Sequence, residues 1–434
     1  MAGTTSSRAG DTKYDIAVLG GGMAGCVAAL AARREGARLL LVERAGCLGG
    51  AATSGSVAQF VGWSTRSGRV VVQGLAQEIT AQLQSIDAAG NLDHFTMSTG
   101  NVMDRINYDP DALKMVLDQM MLSAGIDVLF HTSFAGAEKD GGRVSGMNLA
   151  APGGLLGVEA STFIDASGDM ALLGGVGATF LTEADHGRQP ATMMFAMAPI
   201  DFSRLDAVGQ HEKAAIIARG LKTGALPRAA LHYSRVPGSD VAWFNISRVQ
   251  VDATDPFSLS AGEMEGRAQA RRISRFIRET LPGCANARLS QIAPALGVRE
   301  TRRVAGDHVL RVDELREGLA FEDTIACGAY PIDIHHSDDA ELTFEEFGED
   351  HFYRIPFRSL LPVGLENVAA AGRGLSAEAA AFAAVRVMPS AMAIGHAAGA
   401  AAAIAARDHN GAYRNVSVLE IQTTLRQQNA FLGN

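Results

Sequence analysis

Apolar residues first gather in Tyr14-Asp15-Ile16-Ala17-Val18-Leu19, a short run rich in strand formers. The run ends in Gly20-Gly21-Gly22-Met23-Ala24-Gly25. Ala24 to Glu35 then predicts a helix, with Gly36 as its stop signal. Arg38–Val42 predicts a second strand that ends on Glu43. Asp109-Pro110 opens another helix, with Asp109 as N-cap and Pro110 at the first helical position; it runs to about Ala124, before Gly125. Ile126–Thr132 predicts a strand, and Arg143–Leu149 with Leu155–Ile164 predicts a pair joined through Gly153-Gly154. Thr192–Ala198 and Val241–Val249 also read as strands, and about Ala261 to Thr280 as a polar helix. Near the end, Asn367–Ser376 reads as a strand and glycine turn, and Pro389 suits the first turn of a helix reaching about Ala406.

Composition narrows the class. The 434 residues, 47% apolar and 20% charged, suffice for one large or two interlocked domains. A net charge of −9 without a basic block excludes nucleic acid as a partner, because phosphate neutralisation needs clustered Lys and Arg. Cys26, Cys47, Cys284 and Cys327 have neither metal-ligand spacing nor the density of a disulfide framework, so no metal is expected and a reducing cytoplasm is. Met1–Asp11 lacks the apolar core of a signal peptide and reads as a frayed tail. Ala391–Ala406 is the most membrane-like stretch, but it is short and carries His396, so a buried helix is expected and no membrane. The basic run Arg267, Arg271, Arg272, Arg275, Arg278 reads as a solvated helix face.

The first forty residues carry chemistry. Gly20, Gly22 and Gly25 occupy the three positions of GxGxxG in a complete strand–turn–helix–strand–acid context. Such a turn brings a pyrophosphate against backbone, with the helix start at Met23 and Ala24 offering N–H groups and a positive dipole end. Glu43 can accept both hydroxyls of an adenosine ribose, which disfavours a 2′-phosphate, although Arg44 softens that point. A second glycine pair, Gly49-Gly50, follows with Ala51 and Thr53 and suggests a loop lying against an extended cofactor. Ser161–Asp169 reads as a strand running into the tight turn Ala166-Ser167-Gly168, and Gly372-Arg373 forms a further turn.

Four segments resemble the FAD-dependent oxidoreductases of the glutathione-reductase-like fold, distantly related to fumarate reductase and succinate dehydrogenase flavoproteins. They are Gly20–Gly25 with Glu43 and Gly49-Gly50; Ile164–Asp169; Gly297–Gly306; and Tyr353–Leu360 running on to Gly399. The resemblance implies an α/β fold: an FAD/NAD(P)-binding Rossmann-like domain (a parallel sheet plus a three-stranded β-unit) with an inserted α+β substrate domain. The expected division is a flexible tail over 1–13, an FAD-binding domain from 14–189 and 353–434, and a substrate domain over 190–352. It implies that backbone near Ser133-Phe134 touches adenine, that Gly372-Arg373 approaches the phosphates and ribityl chain, and that the helix begun at Pro389 points at the flavin pyrimidine edge. Ser390 and Ala391 are then the candidate N–H donors.

Catalytic candidates are fewer. Arg386 sits in an alanine-rich, buried-looking segment and needs an anionic partner, structural or bound. His335 corresponds to a histidine that recurs in the resembled family, with His336 as its alternative; either suits proton transfer near neutral pH. Arg354 and Arg299 are candidates for holding an anionic substrate. There is no second GxGxxG, no paired redox cysteine beside Gly49-Gly50, and no His in Gly46–Gly55 to link a flavin covalently. Trp63 lacks the partner motif of flavin halogenases. The expectation is FAD bound without a covalent link in a dehydrogenase or oxidase. It would take a hydride from a small polar substrate and pass electrons to oxygen or a redox protein. The alternatives are a flavin monooxygenase and a flavin-bearing electron-transfer subunit.

Overall fold

The computed structural model describes residues 13–97, 100–182, 188–336 and 342–433. The expectation of a frayed tail falls on residues 1–12, which lie outside the described residues. The buried strand β1 (Lys13–Leu19) leads through the glycine turn into α1 (Met23–Arg34). The chain returns along β2 (Leu39–Val42), parallel to β1 with Ile16 opposite Leu39. Helix α2 (Pro110–Ala124) starts and stops where the pattern puts it: the Asp109 carboxylate accepts the Asp111 N–H at 2.8 Å, and Gly125 turns out of the helix at φ +67°. Next, β3 (Asp127–Leu129) adds to β2 in parallel.

A three-stranded meander follows, formed by β4 (Ser133–Asp140), β5 (Arg143–Ala151) and β6 (Gly154–Asp165). Strand β6 belongs to two pairings. It runs antiparallel to β5 over Gly154–Glu159, and parallel to β1 from Glu159 to Asp165. That shared strand fuses meander and parallel sheet.

A second, antiparallel sheet is built from β7 (Phe195–Ala198), β8 (His232–Arg235), β9 (Ala242–Asn245) and a later strand. Helix α3 (Pro256–Thr280) lies on it and buries Ile273 and Ile277 with Phe195 and Phe244. It begins earlier than the apolar pattern suggests, because Asp255 caps the N–H groups of Phe257 and Ser258 while Pro256 fills the first turn. On its outer face Arg267 pairs with Glu263 and Arg275 with Glu279, so the basic run is a solvated surface. The sheet closes with β10 (Arg288–Ile292), in the order β8-β9-β7-β10. Its apolar side chains form a cluster distinct from that under the parallel sheet. A separate hairpin pairs β11 (Ile332–His335) with β12 (Leu342–Glu345).

The chain then returns to the first sheet. Strand β13 (Val368–Ala370) pairs in parallel with β6, and α4 (Ala379–Val385) leads into α5 (Met388–Asp408). Among the described residues α5 alone is long and apolar enough to cross a membrane, and here it lies buried in the protein. Its small residues have a steric reason. A Cβ on Gly399 would stand 2.1 Å from the Ala28 carbonyl oxygen, and one on Gly395 2.2 Å from that of Ala24. Helices α1 and α5 therefore meet backbone to backbone, and an ordinary side chain at either glycine would force them apart.

Candidate functional site

The glycine turn after β1 forms one wall of a cradle. Gly20 has φ +103°, and a Cβ there would overlap the Ala166 backbone at 2.4 Å, so only glycine fits. A Cβ on Gly22 would meet no atom within 4 Å, so that side of the turn is open space. Opposite it, Gly49 bridges to Gly22, and its N–H donates to the Gly21 carbonyl at 2.7 Å. The short turn Gly50–Ala52 follows, with Ala51 exposed at the edge. The buried Glu43 carboxylate accepts the Gly21 N–H on Oε2 and the Ala45 N–H on Oε1, each at 2.7 Å. These bonds aim the carboxylate while leaving each oxygen a second lone pair for a hydroxyl. The first N–H groups of α1, at Met23, Ala24 and Gly25, have no carbonyl within the helix to bond.

The far wall comes from β6 and β13. Buried Asp165 receives the Ser167 hydroxyl at 2.6 Å and the Ser167 and Leu173 N–H groups, so Ala166-Ser167-Gly168 presents backbone rather than side chains. Burial raises the Asp165 carboxyl above its ordinary range despite these donors. Gly372, at the end of β13, touches the first turn of α1: a Cβ there would lie 3.0 Å from that of Ala24. Arg373 donates to Asp169 at 3.0 Å, and Arg44 reaches the same carboxylate at 3.4 Å. An open glycine face, an acid aimed by backbone, free helix N–H groups and two arginines form a donor set that fits the ribose and pyrophosphate of a dinucleotide. Asp169 is the member of this wall that the sequence reading left out.

A second centre lies beyond the cradle. Asp333, on β11, accepts Arg386 at 3.2 Å, the Tyr330 hydroxyl at 2.9 Å, and lies 3.3 Å from His335 Nε2. The other ring nitrogen of His335 is 3.5 Å from Arg228 Nη1. Arg228 is itself held by the Asn245 and Ile246 carbonyls. Arg299 donates through Nη1 to the Pro190 carbonyl at 2.6 Å and the Thr192 hydroxyl at 2.9 Å. Burial, with Arg386 and Arg228 nearby, pushes Arg299 down to about 9. Burial also pushes His335 down to about 3, Asp333 opposing and Arg299 and Arg228 assisting, and it pushes His232 down to about 3 with Arg228 assisting. Burial opposes ionisation of Asp333 too, but His335, Arg386 and Tyr330 prevail and hold its carboxyl far below the carboxylate range.

The structure sorts the candidates. His335, Arg386 and Arg299 come together. His336 points the other way, to the Thr343 hydroxyl at 2.7 Å on the exposed side of the hairpin. Arg354 is not in this centre: its guanidinium donates to the Gly318 carbonyl at 2.7 Å and the Gly433 carbonyl, and stacks over Phe352. Ala391 is not a free donor, since its N–H closes the first turn of α5 on Val387 O at 2.9 Å; Pro389 has no N–H, which leaves that of Ser390. The Thr53 hydroxyl is spent on Leu48 O and shapes the loop from within. The Phe134 ring packs against Gly175 and its backbone pairs with Leu149, while His131 and Thr132 are the residues whose N–H groups bond beside Glu43, to Ala45 O and Glu43 O. Asp333 was legible after all. In Ile332-Asp333-Ile334-His335 a strand's alternation puts positions 333 and 335 on one face. Arg228, His232 and Tyr330 carry no such signal.

Comparison with known proteins bears on this arrangement. The fold superposes on p-nitrophenol 4-monooxygenase from Pseudomonas putida with a TM-score of 0.50 at 13% identity, over 95% of this chain and 84% of the other. A geranylgeranyl bacteriochlorophyll reductase-like protein from Thermoplasma acidophilum gives 0.49 at 14% identity, over 97% and 84%. No curated protein matches the sequence. The sequence profile described as FAD dependent oxidoreductase matches residues 15–425, nearly the whole chain. FAD is therefore the cofactor, and the chain belongs to the FAD-dependent oxidoreductase family.

Proposed function

We propose that the protein holds FAD without a covalent link and oxidises a small polar molecule in the centre formed by Arg228, Arg299, Asp333, His335 and Arg386. Adjacency carries this reading. Arg299 lies two residues before Thr301, whose hydroxyl donates to Gly168 O in the cofactor wall at 3.0 Å. Arg386 directly precedes Val387, the N-cap of α5. In this proposal residues 190–352 act as the substrate domain, and the first and last parts of the chain hold the cofactor. The distant relation to fumarate reductase flavoproteins suggested by the motifs belongs to the same proposal.

Bound FAD supplies two-electron exchange and, when reduced, reaction with oxygen. Of the two resulting chemistries, we place oxygenation of the substrate first. Hydride removal needs a base for the departing proton, and His335 is a weak one while burial keeps it neutral down to about pH 3. The fold shared with p-nitrophenol 4-monooxygenase is an analogy in the same direction. Hydride removal stays the second reading because of one observation. Asp333, 3.3 Å from His335, would stabilise an imidazolium if a substrate proton arrived there.

One experiment separates them. FAD-loaded protein is mixed with a metabolite panel, first without oxygen and then with oxygen and NAD(P)H. Substrate-dependent NAD(P)H consumption with oxygen incorporated into product supports oxygenation. Bleaching of the flavin band by substrate alone supports hydride removal. Purified protein that takes up no FAD sinks both.

A further inference from the structure

The second centre holds more positive charge than it needs for its own cohesion. Three guanidiniums, Arg228, Arg299 and Arg386, face the single carboxylate of Asp333, and both neighbouring histidines are neutral near pH 7. Among the described residues no carboxylate lies within ion-pair distance of Arg228 or Arg299; both are tied to carbonyl and hydroxyl oxygens or to a histidine ring. A buried guanidinium without an anion pays its desolvation with little return. Excess charge of this kind persists where a bound group completes it.

The unused donors say what that group is. Arg299 engages its neighbours through Nη1 alone, which leaves the Nε–Nη2 edge open. Arg386 spends Nη2 on Asp333, while its Nε is buried without a partner among the described residues. Arg228 has all three nitrogens occupied, so it contributes charge and positions His335. An open guanidinium edge is a flat fork of two parallel N–H groups, the shape that grips a carboxylate with two bonds.

We propose that the substrate carries a carboxylate, and that Arg299 and Arg386 receive it. This names the substrate class for the site described above and rests on that reading of it. Arg299 is bonded to Thr192, just ahead of β7 in the second sheet, and Arg386 leads into α5, so a carboxylate between them joins the two halves of the molecule around the reacting carbon. Asp333 sets a limit to what fits. It repels a carboxylate that slides past Arg386, which fixes how deep the group can sit.

Calorimetric titration of the FAD-loaded protein tests this without any turnover. The probes are acetate, succinate and benzoate, each against its neutral amide, with inorganic phosphate alongside. The expected result is that at least one carboxylate binds at least tenfold more tightly than its amide and more tightly than phosphate. Arg299→Met should weaken that carboxylate roughly 10- to 100-fold, with flavin content unchanged. Arg299→Lys, which keeps the charge but loses the fork, should fall between the two, and it serves if the Met variant does not fold. Equal binding of every carboxylate and its amide overturns the proposal, as does phosphate binding more tightly than all three. Carboxylate binding unchanged in both variants overturns the role of Arg299. The two readings fail separately: protein that takes no flavin but binds a carboxylate through Arg299 refutes the flavin function and keeps this site.

Discussion

Glu43 holds Gly21 from below, its Oε2 accepting the Gly21 N–H at 2.7 Å, so the acid proposed to meet the ribose also sets the pose of the glycine turn. Glu43→Gln replaces a charged acceptor by a neutral one in both roles. Loss of one charge-assisted bond weakens binding by about 10- to 100-fold. Titration of the flavin-free protein with FAD should show that drop with the folded circular dichroism spectrum intact; unchanged affinity would mean the cofactor sits elsewhere.

His335 and His336 are neighbours in sequence and opposite in environment. Under hydride removal, the second reading, His335→Gln should lower turnover by roughly 10²-fold, the usual share of a positioned proton-transfer group; under oxygenation the loss should be smaller but still exceed that at His336. His336→Gln, which loses a bond to Thr343 on the surface, should stay within twofold of the parent. Steady-state kinetics decide, and equal losses at both positions would count against the assignment.

Arg354 is a tie between distant pieces of chain, joining Gly318 to Gly433. Arg354→Met should lower the thermal midpoint while leaving kcat per folded molecule near the parent value. A collapse of kcat in fully folded protein would return it to the catalytic centre.

Acid should destabilise the fold earlier than in a protein with exposed histidines. Burial pushes His232 and His335 from 6.5 down to about 3 and His396 down to about 4. Each stays neutral when folded and takes a proton when unfolded, so between roughly pH 4 and 6.5 the unfolded chain binds more protons and stability falls as pH falls. Above 6.5 these groups add no slope. Asp333, held low in the fold, adds a further loss below the ordinary carboxylate range. Urea midpoints measured from pH 7.5 to 4.5 should fall through this window, and His396→Gln should flatten part of the fall; a pH-independent midpoint would contradict the burial.

Gly399→Leu should be among the most damaging single changes available. Its side chain begins 2.1 Å from the Ala28 carbonyl oxygen, so α1 and α5 must separate. Overpacking of this kind costs about 1–3 kcal/mol, and more where backbone blocks the way. Denaturant unfolding should register it, and loss of FAD should accompany it because the first turn of α1 moves.

The cofactor half was readable from the sequence because backbone rules dictate it. Gly20 must have positive φ, Gly22 must leave space, and Asp109-Pro110 must start a helix; each leaves a residue-level mark. Asp255-Pro256 carries the same mark, and only the weight given to apolar periodicity hid it. The proposed reacting centre was legible in part. Asp333 and His335 share a strand face two residues apart, so alternation exposes them. Arg228 joins them across more than a hundred residues of chain, and no local pattern encodes that meeting; Tyr330 stands close in sequence but outside the strand, so alternation does not mark it. Arg354 shows the converse, an arginine whose sequence neighbourhood suggested chemistry and whose partners are carbonyls at two chain turns.

The pairing of α1 with α5 has a consequence in time. A ribosome adds about 5–20 residues each second, so roughly 20–75 s pass between completing α1 and completing its partner. Through that interval the face formed by Ala24 and Ala28 has nothing to pack on, and β6 lacks β13 as a neighbour. The nascent chain can shape the phosphate turn early but cannot clamp a cofactor against it. In the proposed site, flavin loading therefore follows completion of α5, and a chain truncated before α5 would lack the partner that closes the turn.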